Sequence, residues 1–381
     1  MTINDFKGIP SPCFVLEEKL LKRNLDILKY VQDQSGGSII VALKGFSMYR
    51  MFPLLKQYLA GATASSLNEA RLIFEEMDCL AHTYAPAYKA DEFDEVMRYS
   101  SHITFNSLNQ YEQFKDKIAC FERKISCGIR VNPQYAEVST DMYNPCIRGS
   151  RLGVTRDLIG ENLPEGIEGL HFHTLCENDS HVLERTLVHV EEKFGDLLHK
   201  VKWLNMGGGH LMTRQGYDLE HLIGQIKRLK ETYNIEVTLE PGSAIGWQTG
   251  YLRSTVLDIV DAQGVDVAIL DVSFAAHMPD TLEMPYKPRI WGATDAVEGT
   301  SKHTYRMGGM TCLAGDFMGD YSFDEPLKVG DTLIFDDMIH YTMVKTTTFN
   351  GVGLPSIGVW RENEQFELFK KFGFETYKDR L

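Results

Sequence analysis

The chain contains no uninterrupted run of about 18 apolar residues, so no membrane-spanning helix is expected. Its start, Met1-Thr2-Ile3-Asn4-Asp5-Phe6, lacks the basic stretch and apolar core of a secretory signal. Cysteine is sparse: seven occur in 381 residues, none as C-x-x-C, and the number is odd. That argues against a disulfide framework and against a structural zinc site, and a reducing cytoplasmic setting is expected. Basic residues are outnumbered, with 39 Lys+Arg against 53 Asp+Glu and a net charge of −14. Gripping a phosphate backbone relies on Lys and Arg, so no nucleic-acid partner is expected. Solubility accounts most simply for the acidic surplus, and a cationic partner is compatible with it.

What is present is a rhythm. Eight short apolar or β-branched runs read as strands: Ser38–Leu43, Gly61–Ala64, His82–Tyr84, His102–Phe105, Ser126–Val131, Gly166–Phe172, Trp203–Met206 and Glu236–Leu239. Amphipathic stretches separate most of them. In Leu67–Met77, for example, Leu67, Ala70, Leu72, Phe74 and Met77 fall near one face. Such alternation implies parallel strands with crossover helices, and eight units predict an α/β architecture with a (β/α)8 TIM-type barrel. After Gly250 the pattern changes to consecutive strands punctuated by glycine, including a Thr-rich run at Met343–Phe349. This predicts a barrel over residues 11–250, followed by an all-β barrel or sandwich domain over 251–381, with residues 1–10 able to add a strand to it.

Catalytic groups of such barrels gather at the C-terminal ends of the strands. Here those positions carry Lys44, Ser65 with Ser66, Tyr84, Asn106, Arg130 with Asn132, His171 and His173, Gly207-Gly208-Gly209, and Glu240. A lysine ending a buried strand either loses proton affinity, which suits it to attack a carbonyl, or reaches back to solvent. Three glycines after a strand allow close approach to an anion, or simply a tight turn. They form neither a Walker motif nor a dinucleotide fingerprint. Glu240, set before Pro241-Gly242, could bond a protonated ring nitrogen or cap a helix. His173 could stack on a planar ligand or be an ordinary buried histidine. His171 and His173 face the same side, so a metal pair is conceivable, but spacing suggests no third ligand and no metal is expected. Taken jointly, the amine, the anion site and the carboxylate match the three needs of pyridoxal 5'-phosphate.

The residues also resemble a known family. Ala42-Leu43-Lys44-Gly45-Phe46, Ala62-Thr63-Ala64-Ser65-Ser66, Gly169-Leu170-His171-Phe172-His173-Thr174-Leu175-Cys176-Glu177-Asn178 and Asn205-Met206-Gly207-Gly208-Gly209-His210 lie in the barrel region. Leu239-Glu240-Pro241-Gly242-Ser243, Met310-Thr311-Cys312-Leu313-Ala314-Gly315-Asp316 and Met338-Ile339-His340-Tyr341-Thr342-Met343 follow. From Pro12 into the C-terminal domain the chain resembles the barrel-type (fold type III) pyridoxal-phosphate decarboxylases, and within them the carboxynorspermidine/carboxyspermidine branch. The resemblance implies decarboxylation of a cationic carboxylated triamine to norspermidine or spermidine, in polyamine biosynthesis. Alternatives are a decarboxylase of diaminopimelate or another basic amino acid, an amino-acid racemase, and a non-catalytic pyridoxal-phosphate binding protein. Relatives with racemase activity usually set an arginine where Glu240 stands.

The same resemblance assigns roles. Lys44 would take up the cofactor aldehyde, His173 would stack on its ring, and Glu240 would bond its nitrogen. Gly207, Gly208 and Gly209 would cradle its phosphate, Arg130 would lie close by, and Tyr341 would reach the phosphate from the β domain. Cys312 would act across a homodimer interface as the proton donor. Two departures stand out. Ser243 replaces a family arginine, which shifts phosphate binding towards backbone N–H groups. Leu313 replaces an acidic residue after the cysteine, which shifts recognition of the substrate amine to Glu177, Asp280, Glu283 or Asp316.

Overall fold

The computed structural model describes residues 1–138, 140–284, 286–296 and 303–381. Strand β1 (Cys13–Glu17) runs into the helix Glu18–Ser35, and then eight strands follow: β2 (Ser38–Ala42), β3 (Gly61–Ala64), β4 (Ala81–Tyr84), β5 (Ser100–Phe105), β6 (Ser126–Arg130), β7 (Ile167–His171), β8 (Trp203–Asn205) and β9 (Glu236–Leu239). Strands β2 to β9 pair in parallel in sequence order, and β9 returns to β2 to close the barrel. The expected (β/α)8 barrel is therefore present, with all eight expected runs in it.

Side-chain caps fix where the helices begin. Ser66 accepts from Glu69 N, Ser107 from Gln110 N, Asp179 from His181 N and Val182 N, and Asp218 from His221 N. Each satisfies N–H groups that a helix start leaves without partners. The helix Leu67–Met77 buries Ala70, Ile73 and Met77, while Phe74 is exposed and packs at 5.2 Å on Tyr99. Phe74 was expected on the buried face. The stripe instead follows i, i+3, i+7 from Ala70, which leaves Phe74 at its edge.

Trp203, at the start of β8, fills part of the barrel interior. A Cβ added to Gly169 would meet its ring at 2.0 Å, and one added to Gly128 at 2.2 Å. The two glycines thus provide the space the indole occupies. Its Nε1 donates to Ser126 Oγ at 2.9 Å, so the ring's polar edge is satisfied.

The compact units are residues 24–245, and 1–23 with 246–381. The expected boundaries at residues 11 and 250 shift because β1 pairs with strands of the second unit, antiparallel to β10 (Gly250–Asp261) and parallel to β16 (Ser356–Trp360). Residues 3–6 form a helical turn, not a strand, and seat Phe6 against Tyr251 and Trp291 at 5.7 Å. The second unit's remaining strands are β11 (Asp266–Leu270), β12 (Ala293–Asp295), β13 (His303–Gly308), β14 (Phe317–Phe323), β15 (Thr332–Asp336) and β17 (Phe366–Lys370). They form one mixed sheet, ordered β12-β14-β13-β11-β10-β1-β16-β17, with β15 also on β10. The run Met343–Phe349 is not the expected strand: Tyr341–Val344 is helical and Thr346 Oγ1 bonds back to Met343 O, a local bond that competes with strand pairing. Among the described residues no helix is long and apolar enough to cross a membrane.

Substituting Gly169→Ala should destabilise the barrel by about 1–3 kcal/mol, the usual cost of overpacking. Adding Trp203→Leu should recover part of the loss. Urea unfolding of both variants checks this, and equal stability of Gly169→Ala and the unaltered protein would contradict the packing account.

Candidate active site

The ends of β2, β6, β7, β8 and β9 converge inside the barrel unit. Lys44 follows β2, and its Nζ lies 3.5 Å from His173 Nε2, two residues beyond β7. His173 Nδ1 accepts the N–H of Gly208 at 2.9 Å. A nitrogen that accepts carries no proton, so the neutral ring holds its proton on Nε2, facing Lys44. Burial holds His173 well below its ordinary value, and the charges of Lys44 and Arg130 act in the same direction. Burial, then Arg130, also lowers Lys44, while Glu240 and Glu69 pull it back up. Both shifts weaken proton binding at the pair, which favours an imidazole N–H directed at the Lys44 amine.

Glu240 follows β9 and is buried. Its Oε1 accepts from Asn205 Nδ2 at 2.7 Å, and its Oε2 faces His171 Nε2 at 3.5 Å. Burial alone would raise this carboxyl. The nearby His171 ring and the bond from Asn205 outweigh it and leave Glu240 ionised, at about 2. Asn205 also accepts the N–H of Gly207 at 2.9 Å, so one side chain sets both the carboxylate and the glycine turn. Arg130 donates to His173 O at 3.0 Å and lies 4.8 Å above the Tyr84 ring.

The glycine turn does something different from the expectation. The N–H groups of Gly207 and Gly208 are already taken, by Asn205 and His173, so they are not free to face an anion. Their lack of side chains matters sterically. A Cβ on Gly207 would lie 2.5 Å from Phe172 O, and one on Gly208 2.6 Å from Glu240 O. Gly207 and Gly209 adopt φ +68 and +85, which favours glycine. Ser243, where the family arginine is missing, donates to Glu177 Oε1 at 3.0 Å.

His171, His173 and Glu240 bring ligand-type atoms within 4.8 Å of one another. The third ligand that spacing did not suggest is thus present in space. His173 Nδ1 is already engaged, and the Lys44 amine and Arg130 raise the cost of adding a dication there.

In the second unit, Cys312 is exposed on the β13–β14 connection, its N–H bonded to Asn350 Oδ1 at 2.8 Å. Asp316 closes that connection. Its Oδ1 accepts from Phe274 N and Ala275 N, and its Oδ2 from Thr311 N and Thr311 Oγ1. It is buried with four donors, so the expectation that it binds a substrate amine gives way to a structural role. Asp280 is buried with Oδ2 bonded to Tyr286 and Thr342, while Oδ1 has no hydrogen-bond partner. Glu283 is ion-paired with Lys345. Tyr341 opens the short helix Tyr341–Val344.

Sequence reading missed Asn205 and Glu69. Asn205 could have been noticed as the polar end of an otherwise apolar strand. Glu69 is held by the N–H of Ser65 at 2.6 Å, and burial raises its carboxyl. Its place in a helix cap conceals its proximity to Lys44.

An amine of lowered basicity, an imidazole held by a backbone N–H and a buried carboxylate at the mouth of a TIM-type barrel define the class: an enzyme site for a carbonyl cofactor with a basic ring nitrogen. Comparison with known proteins agrees. Residues 29–339 match the family described as pyridoxal-dependent decarboxylase, C-terminal sheet domain. A carboxyaminopropylagmatine decarboxylase of Synechocystis is 51% identical over 375 residues, 98% of this chain and 96% of the relative. A carboxynorspermidine/carboxyspermidine decarboxylase of Campylobacter jejuni is 42% identical over 387 residues, covering 98% and 99%. The crystal structure of carboxynorspermidine decarboxylase from Campylobacter jejuni, complexed with norspermidine, superposes with a TM-score of 0.91 at 41% identity, over 98% of this chain and 100% of that one. The chain belongs to the pyridoxal-dependent decarboxylases. Its cofactor is pyridoxal phosphate, and the residues present fit it: an amine of lowered basicity for the aldehyde and an ionised carboxylate for the ring N–H.

Two barrel histidines, buried His210 and half-buried His82, should make the barrel acid-sensitive. Burial pushes His210 down to about 4 and, with His102, pushes His82 down to about 3. The unfolded chain binds these protons near pH 6.5 and the fold refuses them, so stability is complete above that pH and falls as pH drops towards the folded values. Each such histidine contributes a slope of about 1.4 kcal/mol per pH unit. Hydrogen-exchange protection of β7–β9 should fall between pH 7 and 5, with a shallower slope in His210→Gln. Protection independent of pH would contradict the assignment.

Proposed function

We propose that this decarboxylase acts on carboxynorspermidine, carboxyspermidine or both, releasing carbon dioxide and norspermidine or spermidine. We further propose that it works as a cytoplasmic homodimer. Likeness along nearly the whole chain to a carboxynorspermidine decarboxylase supports the substrate, and buried Glu240 supports the reaction.

When bound, pyridoxal phosphate supplies a carbonyl that takes up an amine and a ring that accepts electrons from the adjacent carbon. Lys44, its basicity lowered by burial and by Arg130, is the nucleophile for that carbonyl. Glu240, fixed by Asn205 and His171, retains its negative charge and keeps a proton on whatever ring nitrogen faces it, favouring electron withdrawal. An arginine there would do the opposite, which is why decarboxylation is preferred to racemisation. His173 cannot rotate without losing Gly208, so its ring offers a fixed face for stacking. As the C–COO⁻ bond breaks, its electron pair stays on the α-carbon and a proton must arrive there. Cys312 is the donor in this reading, delivered to the site of the partner subunit on a loop that Asp316 holds. Arg130 and Tyr341 are assigned to the cofactor, and Gly209 keeps the phosphate role left by Gly207 and Gly208. For the substrate's distal amines, Asp280 retains an oxygen to offer, and Glu177 and Glu283 remain candidates.

A second reading is favoured by one observation. The relative at 51% identity is named for carboxyaminopropylagmatine, whose far end is a guanidinium in place of an ammonium. Carbon dioxide release from carboxynorspermidine, carboxyspermidine and carboxyaminopropylagmatine, with diaminopimelate and ornithine as controls, decides between them. The first two differ by one methylene, so kcat/KM should differ by only about 10–200-fold. Preference for the guanidino compound would replace the first reading, and preference for diaminopimelate would overturn both.

Lys44→Ala should abolish the absorption at roughly 420 nm that the cofactor shows when linked to this amine, whereas Cys312→Ala should retain it and slow turnover by roughly 100-fold or more, as for loss of a general acid. Mixing the two inactive proteins should restore activity. Failure to do so despite demonstrated subunit exchange would contradict a shared site.

A further inference from the structure

A second cluster lies outside the site described above. The helices Ser180–Leu198 and Leu219–Tyr233 begin with i, i+3 pairs: His181 and Glu184 on one, and Asp218, its cap, with His221 on the other. The His181 and His221 rings stack at 4.2 Å. Ligand-type atoms of His181, Glu184 and His221 all lie within 4.8 Å of one another. From these juxtaposed pairs we infer a binding site for a first-row transition dication such as zinc, joining the first turns of the two helices.

The separations suit shared coordination better than direct bonding. His221 Nε2 lies 3.4 Å from Glu184 Oε2, and His181 Nε2 lies 3.8 Å from Asp218 Oδ2. Charge-assisted hydrogen bonds close to about 2.7–2.9 Å. Two ligands on one tetrahedral zinc, each about 2.0–2.1 Å from it, stand roughly 3.3 Å apart. The side chain of His221 presents Nε2 to this space, because its Nδ1 is buried without a hydrogen-bond partner. Gln225 Nε2 lies 3.4 Å from the same atom and the two rings are stacked, so an ion bound here draws His221 Nε2 from Gln225 and tilts the rings apart. The carboxylates of Glu184 and Asp218 supply negative charge suited to a dication. Imidazoles select zinc, nickel, cobalt or copper over magnesium and calcium.

The position gives such an ion a consequence. One helix follows His173 after a short loop, and the other follows Gly207–Gly209 after another. An ion joining the helix starts would restrain both loops without touching Lys44 or Glu240.

The test uses the full chain, with and without pyridoxal phosphate. Titration with zinc chloride should show one ion per chain at this site and a raised melting temperature. Loss of an outer-shell partner weakens metal sites by about 10–100-fold, so removing a direct ligand in His221→Ala should weaken binding by at least that much. His181→Ala with His221→Ala should abolish it, and Glu184→Gln, which keeps shape and removes charge, should weaken it in a protein that melts normally. Cobalt should give a visible ligand-field band without thiolate charge transfer, which separates this site from any cysteine. Absence of stoichiometric binding, or binding unchanged in the double variant, would overturn the proposal.

Discussion

The hydrogen bond from Gly208 N–H to His173 Nδ1 governs the chemistry of the barrel unit. It chooses the tautomer of His173, and the tautomer decides what Lys44 meets. With Nε2 carrying the proton, the imidazole opposes protonation of the lysine beside it, in the same direction as burial. The same bond needs β7 and β8 in register, since His173 extends from one and Gly208 from the other. It also needs a glycine at 208, because a Cβ there would strike Glu240 O and crowd the imidazole at 3.0 Å. Fold, glycine turn and lysine basicity are therefore linked through one contact.

Asn205 extends the coupling to β9. It receives the Gly207 N–H and donates to Glu240, so the turn that positions His173 also positions the carboxylate. The site thus holds an amine of lowered basicity and an ionised acid within one barrel, each by its neighbours. The second unit uses the same economy. Asp316 gathers N–H groups from residues 274, 275 and 311 and fixes the connection that carries Cys312. A Cβ at Gly309 would lie 2.4 Å from that carboxylate, so this connection too depends on a missing side chain.

Much of this was legible in the sequence, and the limits have physical causes. Strand ends could be read because apolar β-branched runs stop abruptly at Lys44, Arg130, His173 and Glu240. The barrel could be read because the alternation repeats eight times. The place of β1 could not: Cys13–Glu17 looks like any buried strand, and its partners lie more than 200 residues away. The three glycines suggested an anion nest because sequence shows the absence of side chains, not what the N–H groups bond. Asp316 was open to a substrate role because two of its four donors, the N–H groups of Phe274 and Ala275, come from a distant segment. Phe74 was misplaced because helical periodicity leaves residues at the stripe's edge ambiguous, and Tyr99 covers it there.

The central claim is that Lys44 is held below its ordinary basicity by burial and by Arg130, with His173 donating towards it. The most direct measurement is a pH titration by nuclear magnetic resonance of protein labelled at the lysine ε-carbon and ζ-nitrogen, with the signal assigned by its loss in Lys44→Met. The account predicts a midpoint displaced below those of the surface lysines. It also predicts that His173→Gln, which removes the imidazole, alters that midpoint. A Lys44 signal that titrates together with the surface lysines would contradict it.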